Sequence, residues 1–192
     1  MLIRQASLDA FKQMAITAFE DEMVEHCKVF APTICGMLGK EALERATHTG
    51  VEHARTRGFT RRGPVQFYLD CMLLLGSEFA TDPQYAWAAA VLGRDDFETE
   101  LHRAEALYEV VKAHLDDVAG SESRYVRGCL RRVLRLLAGE IPVQQESFAH
   151  DMAKILDELH PEKTRAAGPL AIEAIVQRAV NRARDEYGLT GT

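Results

Sequence analysis

Apolar residues recur along this chain every three to four positions, and no alternating apolar–polar run reaches the length of a convincing strand. Leu8, Phe11, Ala15, Phe19, Met23, Cys27 and Phe30 trace one such stripe, which predicts a long first helix capped by Ser7 and closed by Pro32. Thr33–Leu38 reads as a short turn, broken by Gly36 and Gly39. A second long helix is predicted over about Lys40–Arg57, with Leu43, Ala46, Gly50, Val51 and Ala54 inward. Pro64–Leu75 is apolar at almost every position, with only Gln66 and Asp70 leaving a polar stripe. A helix apolar nearly all round is buried on nearly all sides, so this one is predicted to be the hub.

The second half repeats the pattern. A short helix is expected around Tyr85–Leu92. Asp95, with Glu98 three residues on, makes a capping-box pattern before the stripe Phe97, Leu101, Ala104, Leu107, Val111, Leu115 and Val118. Ser121 is placed to cap the next helix, which runs to Gly139 with Val126, Cys129, Leu130, Val133, Leu134 and Leu137 inward, and Glu140–Val143 reads as a linker. A stripe from Phe148 to Leu159 is ended by Pro161, and Leu170–Tyr187 is the last helix. Together these predict an all-α bundle of about seven helices around Pro64–Leu75. It is read as a single domain over residues 1–192, with a possible subdomain boundary near 93–95.

Composition narrows the function. A chain of 192 residues with a net charge of -6, spread evenly over its halves, is not a basic nucleic-acid binder. Cys27, Cys35, Cys71 and Cys129 sit in apolar contexts with no Cys-x-x-Cys pair, which reads as reduced thiols in a cytoplasmic protein. The longest near-apolar run is too short to span a bilayer, so no membrane partner is expected.

Candidate chemistry is sparse. Glu20, Asp21, Glu22, Glu25 and His26 cluster on the first helix, but the Glu-x-x-His spacing of a helical di-metal site is absent. The nearest match is the single Asp157-Glu158-Leu159-His160 at a helix end. Glu44, His48 and Glu52, beside His53, follow one helix face and read as local ion pairs. Arg124, Arg127, Arg131 and Arg135, beside Arg132, form a basic face expected to pair with acidic groups of the same chain. No nucleophile elbow, phosphate loop or zinc-protease motif occurs, and Cys71 lies among leucines. No catalytic, cofactor or metal residue is therefore assigned. The aromatic segment Phe79, Tyr85 and Trp87, preceded by Arg61 and Arg62, is the candidate protein-binding surface.

The residues Gly50-x-x-x-Ala54-Arg55-x-x-Gly58-Phe59, Tyr68-Leu69-Asp70, Leu75-Gly76, Phe79, Asp82-Pro83 and Trp87 resemble a group of small helical bacterial proteins. These are encoded beside effector, spike and PAAR-type genes of type VI secretion systems, and include effector chaperones, co-chaperones and adaptors. The likeness covers residues 8–92 and is a packing signature, so it carries over no catalytic residue. It implies a non-enzymatic accessory protein whose partner is a secreted effector or its chaperone. An immunity protein for a cognate toxin, and a helical-bundle metalloenzyme, are the alternatives.

Overall fold

The computed structural model describes residues 5–139 and 147–188, without the side chains of residues 5–9, 12 and 13. Among the described residues every regular element is helical and no strand forms, as the periodicities predict. The elements are α1 (Gln5–Phe30), α2 (Pro32–Leu38), α3 (Lys40–Thr56), α4 (Arg62–Leu75), a 3-10 turn (Pro83–Tyr85) and α5 (Ala86–Leu92). Then follow α6 (Glu100–Ala119), a second 3-10 turn (Ser121–Ser123), α7 (Arg124–Leu137), α8 (Phe148–Leu159), α9 (Pro161–Ala167) and α10 (Pro169–Tyr187).

Several boundaries differ from the expectation, each for a local reason. Helix α1 begins at Gln5, before Ser7, so Ser7 does not open it; the Ser7 and Leu8 side chains and the Glu140–Val143 linker lie outside the described residues. The turn after Pro32 is a helix, because proline is compatible with a first helical turn and its missing N–H costs nothing there. Pro161 and Pro169 likewise start helices. There are thus more helical segments than the seven expected. Residues 95–98 are not helical: the Arg94 guanidinium grips Asp96 with two bonds of 2.9 and 2.8 Å and stacks 4.5 Å over the Phe97 ring. Thr99 caps α6 instead, its Oγ1 accepting the His102 N–H at 3.2 Å.

The chain divides into two compact units. Their limits are discontinuous: Met1–Phe79 with Gly93–Glu105, and Ala80–Leu92 with Ala106–Thr192. The chain crosses between the units at three places, after Phe79, after Leu92 and after Glu105.

In the first unit α1, α3 and α4 pack on one another, with α2 against α1 and α3. Met23 and Cys27 of α1, Leu43, Val51 and Ala54 of α3, and Val65, Tyr68, Leu69, Cys71 and Met72 of α4 make its core. Leu69 is buried and Leu73 half-buried, but Leu74 is exposed, so one flank of α4 faces solvent. Phe59, Tyr68 and Phe79 stack in series, their ring centroids 6.0 and 5.0 Å apart. Gly76, at φ +109, ends α4 in backbone geometry that a side chain would strain.

In the second unit α8, α9 and α10 pack together against the first 3-10 turn, and α7 packs on α8. Its buried residues include Tyr85, Ala88, Val91 and Leu92, then Leu107, Val111, His114 and Val118 of α6, and Ile155, Ile172 and Val176.

Candidate functional site

Two of the three rings of the predicted aromatic surface are buried. Phe79 is 1% exposed and Tyr85 2% exposed, and they belong to different units. Phe79 packs on Tyr68. Asp82 folds the 3-10 turn by accepting the Gln84 N–H at 2.8 Å, which turns Tyr85 inward. There the Tyr85 ring meets Trp87 at 5.6 Å and His114 at 5.4 Å, both edge-on. Trp87 is half-buried, 5.2 Å from the His114 ring, and its indole N–H is enclosed without an acceptor. The expectation that these rings stand free is corrected for Phe79 and Tyr85: aromatic side chains bury too much apolar area to be spared when a core lies within reach.

Arg61 and Arg62 are exposed, but each is engaged. The Arg61 guanidinium lies 3.2 Å from Glu100, and the same carboxylate accepts the Arg61 N–H at 3.1 Å and the Thr60 N–H. Burial alone would raise the pKa of Glu100; the bonds from Thr60 and Arg61 outweigh it and hold the carboxyl below its ordinary value. Arg62 pairs with Glu22 of α1.

The acidic cluster of α1 is dispersed among separate partners. His26 Nε2 lies 2.7 Å from Asp70, Glu20 2.9 Å from His48, and Glu25 2.7 Å from Lys28. Burial raises the Asp70 pKa and the His26 contact opposes it. In the row on α3, Glu44 lies 3.8 Å from Lys40, and Glu52 pairs with Arg55. Among the described residues no three His, Cys, Asp or Glu side chains converge as a metal site would require. His160 caps α9, its Nδ1 accepting the Lys163 N–H at 3.3 Å, and Asp157 accepts from Thr164. Burial pushes the Cys71 thiol up to about 12 and the Cys27 thiol to about 11, which disfavours the reactive thiolate. A groove of about 510 Å³ between α8 and α10 is walled mainly by Ala149, Ala153, Leu170 and Ala174.

What the sequence reading missed is an apolar surface where α1 meets α2. Val29 is 83% exposed and Met37 84% exposed, with Phe30, Ile34 and Leu38 also open to solvent. The signal was present: residues 29–39 carry no charge at all, between Lys28 and Lys40. Reading the segment as a turn hid that its apolar groups ride on a helix. Residues 32–38 bury only Cys35, whose Sγ donates to the Cys27 carbonyl at 3.2 Å.

No family model, curated protein or solved structure matches the chain. No helix of the described residues is long and apolar enough to cross a membrane.

Proposed function

We propose that this chain is a non-enzymatic accessory protein that binds a type VI secretion effector, or that effector's chaperone, by covering apolar surface on it. The observation that carries the reading is the exposed apolar face of Val29, Phe30, Ile34, Met37 and Leu38. Large apolar side chains left this exposed on two successive helices are what an interaction site presents. The choice of partner rests on the resemblance alone; of the residues that carry it, Ala54, Phe59, Tyr68, Leu69 and Phe79 are buried in the first unit and are not available to a partner. The binding surface is therefore assigned to the outer face of α1 and α2. Arg61 and Arg62 stay exposed on the same unit, paired with Glu100 and Glu22, while Phe79 and Tyr85 are core and Trp87 is half-buried.

Affinity capture with the products of neighbouring genes tests this. A client that becomes soluble on co-expression supports the chaperone reading, whereas suppression of client toxicity without that effect assigns an immunity role. Val29→Glu with Met37→Glu is expected to weaken client capture about tenfold or more with the thermal melt unchanged, since a charge buried at an interface has no partner. Capture unaffected by this pair of changes rejects the surface.

A further inference from the structure

Helix α7 presents a surface that the reading above does not use. It holds five arginines, Arg124, Arg127, Arg131, Arg132 and Arg135, and neither lysine nor an acidic residue. The chain as a whole carries a net charge of -6, so this is a concentration of charge against the background. The expectation that the acidic groups of the chain neutralise it is corrected by the structure. Arg132 donates to the Leu159 carbonyl at 2.9 Å, on the flank packed against α8. Arg124 bonds to and stacks on Tyr125. No ion pair among the described residues includes Arg127, Arg131 or Arg135.

Beside this row runs an apolar one. Val126, Leu130, Leu134 and Leu137 follow one another at four-, four- and three-residue steps, which places them on one helix face. Leu130 is 57% exposed, Leu134 67% and Leu137 70%. The two rows are parallel and adjacent over three turns, roughly 16 Å at 1.5 Å per residue.

We propose that α7 is a docking face for an acidic amphipathic helix of another protein. A single row of leucine-type side chains is one seam of a helix–helix contact, and a flanking row of one charge sign selects a partner with the opposite sign along its own seam. Arginine suits the role better than lysine, because its planar fork meets a carboxylate with two bonds. A lipid surface fits less well. It favours an apolar face with cations on both flanks, and here the second flank is held by α8 through Arg132. A nucleic-acid backbone would leave the leucine row uncovered. This inference rests on the reading of the chain as a binder only in expecting a protein partner; α7 is distinct from the α1–α2 face.

The test uses the full chain and labelled peptides of about 18 residues, long enough for a helix to form on the surface. One peptide carries leucines along a helical seam flanked by glutamates. A second has lysine for every glutamate, and a third has the composition of the first with its seam scrambled. Fluorescence anisotropy at low salt is expected to show the acidic peptide binding about tenfold or more tighter than either control. The triple change Arg127→Gln, Arg131→Gln and Arg135→Gln, and separately Leu130→Gln with Leu134→Gln, should each weaken it about tenfold or more, with helical circular dichroism retained. Should the triple variant melt, Arg131→Gln alone should still weaken binding about threefold. Equal binding of the acidic and lysine peptides overturns the proposal. So does binding to vesicles of equimolar phosphatidylglycerol and phosphatidylcholine in place of the acidic peptide. A dimer of the free chain that the leucine changes dissolve makes α7 a self-contact and overturns it too. Client capture that survives the α7 changes while the acidic peptide fails to bind rejects this inference and leaves the α1–α2 reading standing; the reverse result rejects that reading alone.

Discussion

Gly50 shows how closely one residue can set the packing of two helices. It lies within α3 facing α4, where a Cβ would run into Leu69 Cδ2 and stand 2.7 Å from Met72 Sδ. Both neighbours are buried side chains of α4, so a methyl here requires them to shift within the core. Alanine would gain about 1 kcal/mol of helix propensity over glycine. Overpacking a filled core costs about 1–3 kcal/mol, and the contacts here are short enough that this effect wins. Gly50→Ala is expected to lower the melting temperature by about 2–8 °C. Pairing it with Leu69→Ala should cost less than the sum of the two single changes, since the truncated side chain leaves room for the methyl. A melting temperature that rises would show that α3 and α4 are free to move apart.

At the scale of the element, helix starts are decided by which side chain reaches the backbone. Asp95 and Glu98 have the spacing of a capping box, yet α6 begins at Glu100 with Thr99 as its cap. The spacing was readable, but the competing grip of Arg94 on Asp96 and Phe97 was not, because it depends on three side chains meeting in space. Thr99→Ala should destabilise the protein by about 0.5–2 kcal/mol, the usual cost of losing an oxygen cap. Asp95→Ala should fall within about 0.5 kcal/mol of the parent, as exposed changes away from such features do. Chemical denaturation of the two variants distinguishes the assignments: a larger loss at Asp95 than at Thr99 would restore the capping box. Helix α7 makes the same point about faces. Its amphipathic period was plain, but its apolar row, read as inward, is largely exposed.

At the scale of the molecule, acidity is expected to act through the second unit. Burial, with the nearby Lys163 charge adding to it and Asp117 opposing, lowers the His114 pKa below the ordinary histidine value. Burial also lowers that of His160, where Lys163 and Arg132 add to the effect and Glu162 opposes it. Both histidines are therefore neutral in the folded chain at a pH where the unfolded chain binds protons. The unfolded state takes up more protons as pH falls below about 6.5, so stability drops there and is recovered above it. Trp87 is the only tryptophan and lies against His114, so its fluorescence reports on this unit. The thermal midpoint followed by Trp87 should be lower at pH 5.5 than at pH 7.5. His114→Gln should narrow that gap, whatever it does to the midpoint itself, and a gap unchanged by the substitution would remove His114 as a source of the pH dependence.

Period and composition were enough to determine that the chain is all-α and that Leu69 and Cys71 belong to the core. These are local properties: a 3.6-residue repeat and a run of apolar groups declare themselves in a short window. The side on which an apolar row finds a neighbour is not local. Tertiary structure alone decided that Phe79 and Tyr85 are core, that Val29 and Met37 are surface, and that Arg127, Arg131 and Arg135 enter no ion pair among the described residues while Arg61 and Arg62 are taken. A hydrophobic side chain has the same sequence pattern whether its own fold covers it or a partner does, and only the placement of the other helices tells the two apart.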